Sequence, residues 1–86
     1  MIDRLKAPIS IVSSYNHKTR VFQPNLIFWE GRKYQVNKIG YHHMVRTGRL
    51  IYHVFSVETN ELYFRLIFNA ESLAWEVSEI SDGEIN

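Results

Sequence analysis

An all-β fold is predicted for this 86-residue chain: a small antiparallel meander of five to six strands, forming a curled sheet or a small barrel, SH3-like or similar. Three observations predict it. Aromatic and β-branched residues recur in short runs, polar turn clusters separate those runs at short intervals, and no segment carries an i, i+3, i+4, i+7 apolar stripe long enough for a helix.

The elements follow in chain order. Residues 1–8 read as an N-terminal arm, 9–80 as the β domain and 81–86 as a flexible tail. The first run is Pro8-Ile9-Ser10-Ile11-Val12-Ser13-Ser14-Tyr15, turned by Asn16-His17-Lys18. A short run, Thr19–Gln23, precedes Pro24, which has no N–H for a ladder and so marks an edge or a strand start. Asn25–Trp29 is the next strand, and Glu30-Gly31-Arg32 reverses it, with Gly31 free to take a positive φ. In Lys33–Ile39, Tyr34 and Val36 alternate and Ile39 falls out of phase, which predicts a bulge near Asn37-Lys38. Gly40 to Gly48 has no clear period and reads as an irregular loop or one helical turn. Three strands end the chain: Arg49–Val57, Leu62–Phe68 and Leu73–Ile80, with Leu73, Trp75 and Val77 inward and Glu76 and Ser78 outward.

The strands at 50–57 and 62–68 are apolar on both faces. Leu50, Tyr52 and Val54 oppose Ile51, Phe55 and Val57, and Leu62, Phe64, Leu66 and Phe68 oppose Tyr63 and Ile67. A sheet this small buries one face internally, so the other needs a cover: the N-terminal segment, a partner subunit or a ligand. A homodimer is expected. The expected core comprises Ile11, Ile27, Trp29, Tyr34, Val36, Val54, Phe64, Leu66, Trp75 and Val77. If Trp29 is buried, Trp29→Ala costs about 3–5 kcal/mol.

Composition removes several classes of function. Hydrophobic residues at 45% and charged residues at 22% describe a globular chain, not a disordered one. There is no cysteine, which excludes disulfides, thiolate chemistry and Cys-based zinc sites. No apolar run approaches the roughly 18 residues of a membrane helix. The segment Met1–Pro8 has an early acid and no long apolar stretch, a poor match to a signal peptide. The expectation is a cytoplasmic protein with no membrane partner.

The net charge of +1 hides an asymmetry. Residues 1–50 hold nine basic side chains against two acidic ones, a balance of +7, while residues 51–86 hold one against seven, a balance of −6. Either basic and acidic strands neutralise one another within the fold, or the basic half meets phosphate or an acidic partner.

No motif for catalysis stands out. His17, His42, His43 and His53 match no zinc spacing, and the adjacent pair points to opposite faces if it lies on a strand. No serine sits in a G-x-S-x-G elbow. Glu58/Glu61 and Glu76/Glu79 fall at turns or on outward positions, where solvated charge is ordinary. The four glycines stand alone at turns and form no phosphate loop. No catalytic residue, cofactor or metal is therefore assigned. Basic and aromatic residues do interleave between 32 and 52, a composition that suits stacked bases beside phosphate contacts. The candidate nucleic-acid-binding residues are Arg32, Lys33, Lys38, Tyr41, His43, Arg46 and Arg49, with Tyr41 and His43 stacking and the cations meeting phosphate.

Pro24, Ile27, Trp29, Gly31-Arg32, Tyr34 and Val36 resemble the P-x-x-[hydrophobic]-x-W-x-G-R-x-Y-x-V core of a family of short bacterial domains of unknown function. The similarity extends through Tyr41, through Arg49-Tyr52-Val54 and Leu62-Tyr63-Phe64, and to Trp75-Val77-Ile80-Asp82, covering roughly residues 21–82. This chain departs from the pattern at Tyr41-His42, where relatives often carry a tryptophan. The resemblance implies a small all-β bacterial protein and supplies no catalytic residues. Some similar domains are associated with DNA-repair polymerase neighbourhoods, which would favour a role linked to nucleic acid. Within the core, Trp29 and Tyr34 can pack across the hairpin, and Arg32 can lie over an aromatic ring or pair with Glu76.

The functional expectation is a non-catalytic binding module, a dimeric protein-interaction or assembly domain whose protein partner is unknown. The alternative is a small nucleic-acid-binding barrel that uses the surface around residues 32–52.

Overall fold

Every regular element among residues 2–83, the part of the chain that the computed structural model describes, is a β-strand. There are eight: β1 (Ile2–Pro8), β2 (Ser10–Asn16), β3 (Val21–Trp29), β4 (Arg32–Gln35), β5 (Lys38–Thr47), β6 (Leu50–Glu58), β7 (Tyr63–Asn69) and β8 (Trp75–Ser81). They form two antiparallel sheets, one of five strands in the order β1-β8-β7-β6-β5 and one of three in the order β2-β3-β4. The all-β meander is thus as expected, with more strands than predicted.

Two extra strands come from segments that lack an alternating pattern. The segment read as an N-terminal arm is β1, whose Arg4 and Ala7 lie opposite Glu79 and Val77 of β8. The segment read as a loop, Gly40 to Gly48, lies mostly in β5, which pairs with β6 from Lys38↔Glu58 to Thr47↔Leu50. It is an edge strand, exposed on most positions, so no apolar period marks it. Gly40 is the extra residue at a bulge, between Ile39↔Val57 and Tyr41↔Ser56.

Phase slips in the sequence have definite causes. At Asn37 the chain leaves one sheet for the other, rather than bulging within a strand. The Val36 N–H donates to the Asn25 carbonyl at 2.9 Å, and the next N–H, of Asn37, donates to the Glu58 carbonyl of the other sheet at 2.8 Å. A matching crossing lies at Ile9, whose N–H donates to Trp75 at 3.1 Å between β1 and β2. Pro24 does not begin a strand. It lies buried inside β3, at the register shift between Val12↔Leu26 and Ser13↔Pro24, where a missing N–H costs no ladder bond. The runs at 19–23 and 25–29 are therefore one strand.

Local chemistry sets the turns. Asn16 Oδ1 accepts from the N–H groups of Lys18 and Thr19 at 2.9 and 3.2 Å. Glu30 and Gly31 both have positive φ, 49° and 77°, the pattern of a two-residue hairpin turn that matches strand twist.

The core lies between the sheets. Ile27 and Tyr34 of the smaller sheet meet Phe55, Val57, Phe64, Leu66, Trp75 and Val77 of the larger. Phe22 reaches across from β3 to Phe68 and Trp75, with ring centroids at 4.9 and 5.8 Å. Ile11, Trp29 and Val36 pack half-buried against this core. Val54, expected inside, points the other way, because the inward phase of β6 belongs to Phe55 and Val57. Leu73 is not inward on a strand; it is an exposed turn residue. Ser81, assigned to the tail, belongs to β8 and is buried. Residues 84–86 of that tail lie outside the described residues.

Candidate interaction face

Alternation along the strands gives the five-stranded sheet a second face, directed away from the core. Three adjacent cross-strand rows occupy its centre. One row is polar and runs through Tyr41, Ser56, Arg65, Glu79 and Arg4, one residue from each strand. The next runs through His43, Val54, Ile67, Glu76 and Pro8, and the third through Val45, Tyr52 and Asn69.

The second and third rows form a groove of about 390 Å3. Val45, Tyr52, Val54, Ile67 and Ala74 supply its apolar lining, with Lys6 and Glu76 as its charges. The three-stranded sheet covers the opposite, core-facing side, and β1 extends the edge of the sheet instead of folding over this face. Of the three alternative covers for this face, the N-terminal segment therefore supplies none among the described residues.

The polar row closes one side. Arg65 Nη1 donates to Glu79 Oε1 at 3.1 Å, and Arg4 Nε lies 3.5 Å from the same oxygen. Two polar atoms on this face are buried without a hydrogen-bond partner, Ser56 Oγ and His43 Nδ1. Tyr41 tilts against the His43 ring at 4.8 Å. An unsatisfied buried polar atom costs about 1–3 kcal/mol, so this face carries a stability penalty that the core does not.

The rim carries a second penalty. In the turn 69–74, Asn69 Oδ1 accepts from the N–H groups of Glu71 and Ser72 at 2.9 and 3.1 Å, and the Leu73 N–H donates to the Asn69 carbonyl at 2.8 Å. That geometry holds Leu73 at φ 65°, with 68% of its surface exposed, between the groove residues Ser72 and Ala74.

The residues predicted to bind nucleic acid do not form one patch. Lys38, Tyr41 and His43 share the outer face of β5. Arg46 lies on its opposite phase and Arg49 in the β5–β6 turn. Arg32 and Lys33 belong to β4 in the other sheet. Arg32 is also engaged: its guanidinium lies 5.4 Å from the Tyr34 ring centroid, and Nη2 donates to both carboxylate oxygens of Glu61 at 2.8 Å. The aromatic partner agrees with the expectation for Arg32, and the carboxylate is Glu61 in place of Glu76. Trp29, Arg32 and Tyr34 line a separate cleft of about 540 Å3 with Asp3, Leu5 and Ile80.

His42 and His43 face opposite ways, as adjacent strand residues must. His42 instead meets His53, with Nε2 and Nδ1 2.9 Å apart. Its ring stacks on Phe55 at 4.0 Å and 12°. Partial burial, and then the neighbouring His53 and His43, hold its pKa below the ordinary 6.5. No group of three or more His, Cys, Asp or Glu side chains converges among the described residues. No helix among them is long and apolar enough to cross a membrane.

The groove was half visible in the sequence. Two-faced strands at 50–57 and 62–68 announced Tyr52, Val54 and Ile67, but Val45 lies in a segment without a period and Leu73 shares the inward phase of Trp75 and Val77, which hides its place on the rim. Neither a family model, nor a curated protein, nor a solved structure matches this chain.

Proposed function

We propose that this chain is a non-catalytic interaction module whose outer sheet face docks a second copy of itself, giving a homodimer. The observation that carries this reading is Leu73. A leucine with positive φ costs roughly 1–2 kcal/mol that glycine does not, and a leucine this exposed gains little in the monomer. A strained apolar residue on the rim of an apolar groove is what a contact surface retains. The two unsatisfied polar atoms on the same face support the reading.

Light scattering at micromolar concentration tests it. The expected mass is twice 10.2 kDa, returning to the single-chain value in Val54→Asp. A wild-type monomer under those conditions overturns the dimer.

A second reading rests on Lys38, Tyr41 and His43, which share one face of an exposed edge strand beside the basic β5–β6 turn. In that reading the module binds a nucleic-acid strand there. Anisotropy of labelled single-stranded DNA, duplex DNA and RNA at two salt concentrations tests it. Binding that weakens steeply with salt supports a phosphate-facing surface, and no binding at low salt removes it.

A further inference from the structure

We propose that His42, His53 and Met44 form a copper(I) site at the uncovered end of the core-facing side of β5 and β6. It is independent of the docking face, because these residues lie on the opposite phase of the sheet. His42 and Met44 are two apart on β5, and Met44 lies directly opposite His53 on β6. Directly opposed positions have Cβ atoms about 4.5–5.5 Å apart, within reach of a thioether.

The imidazole pair is already close to a chelating geometry. His42 Nε2 and His53 Nδ1 are 2.9 Å apart. Two metal–nitrogen bonds of about 2.0–2.1 Å, at a tetrahedral or trigonal angle, need roughly 3.3–3.6 Å, an opening of about 0.4–0.7 Å. In the metal-free protein one of these nitrogens carries a proton and the other accepts it. On binding, the protonated ring passes to its other tautomer, so both nitrogens become donors and no net proton is lost.

Aromatic packing fixes both rings. His42 stacks on Phe55, while His53 lies 6.1 Å, centroid to centroid, from both Phe22 and Phe68. Rings held in this way need little ordering when they bind.

The donor set selects the metal. Two imidazoles and a thioether are too few for a structural zinc site, and no carboxylate joins them to form a three-residue acid or histidine cluster among the described residues. Thioether sulfur favours copper(I), which is soft and accepts low coordination numbers. Charge points the same way. Arg46 follows on the same phase of β5, so a monovalent ion meets less repulsion than a divalent one. The surrounding phenylalanines also favour the less charged ion.

The test is an anaerobic titration of the 86-residue protein with copper(I) against a chromogenic chelator, together with X-ray absorption of the loaded protein. One copper(I) per chain is expected, with two nitrogen scatterers and one sulfur. His42→Phe and His53→Phe keep the aromatic packing and remove the nitrogens. Each is expected to lower affinity by more than the roughly 10–100-fold that an outer-shell loss costs. Met44→Leu should remove the sulfur signal, while His17→Phe and His43→Phe should bind as the wild type does. If a phenylalanine variant fails to fold by circular dichroism, glutamine at the same position takes its place. Failure to retain copper(I) against the chelator overturns the site, as does equal loss in the His17 or His43 variant. Zinc(II) binding tighter than copper(I), or a spectrum without sulfur, overturns the choice of metal.

Discussion

The Arg32 guanidinium joins the two sheets through Glu61: one nitrogen of β4 donates to both carboxylate oxygens in the β6–β7 turn, each at 2.8 Å. The same guanidinium lies over Tyr34, whose ring meets Phe64 of the other sheet at 5.2 Å. Asn37 donates to Asn60 beside this contact, so the β6–β7 turn is held at two points. Both charged side chains are more than half exposed, which keeps their attraction small. A double-mutant cycle of Arg32→Met and Glu61→Gln, read by urea denaturation, should give a coupling of about 0.5–1 kcal/mol at low salt. It should shrink at high salt, where exposed charges are screened. A coupling that is insensitive to salt would assign the contact to Tyr34 packing instead.

Core substitutions should rank by burial, not by side-chain size. Phe55 and Phe64 are fully buried, whereas Trp29 is half-buried beside the cleft it lines. Phe55→Ala and Phe64→Ala should each cost about 3–5 kcal/mol, enough to unfold a marginal domain. Trp29→Ala should cost less, about 1.5–3 kcal/mol, because part of its surface never leaves water. Denaturant midpoints of the three variants check the order. A Trp29 variant that is the least stable of the three would mean that its ring anchors the sheet contact.

What the sequence revealed depended on whether burial was one-sided. β7 and β8 face the core on alternate residues, and that phase is legible in their sequences, although it also carries Leu73, a turn residue, into the strand. The inward set Phe64, Leu66, Trp75 and Val77 was read correctly. On β6 the expected core takes Val54 where the structure has Phe55, since Val54 is as apolar as its neighbour and only the covering sheet distinguishes their faces. β1 and β5 are edge strands with polar residues on both faces, so they carry no periodic signal although they hydrogen-bond along one edge. The site followed the same rule. Apolar residues on both faces of β6 and β7 implied an uncovered surface. The pairing of His42 with His53 depends on cross-strand register, which no local pattern encodes.

Acid should destabilise the metal-free protein through His42. Burial against Phe55 and the nearby His53 and His43 lower its folded-state pKa below 6.5, while the unfolded chain titrates near 6.5. The unfolded state therefore takes up the proton first. The stability attached to neutral His42 is full above about pH 6.5 and is lost as pH falls through the lower folded-state value. Urea denaturation between pH 8 and 5, with a chelator present, should show a decline that is weaker in His42→Phe. An unchanged slope in that variant would assign the acid sensitivity to other groups.

Leu73 separates stability from association. With glycine at φ 65° the left-handed strain is relieved, and because Leu73 is largely exposed little packing is lost. Leu73→Gly should therefore stabilise the single chain by about 0.5–1 kcal/mol, the positive-φ strain less the entropy that glycine adds to the unfolded state. The comparison must be made below the concentration at which the protein self-associates, since a dimer adds apparent stability by mass action. Sedimentation equilibrium of the same variant should show the dimer weakened at least about tenfold, a difference of about 1.4 kcal/mol. Greater stability with unchanged association would remove Leu73 from the interface and leave its strain without a role. Lower stability would instead mean that the leucine packs on the folded chain more than its exposure suggests.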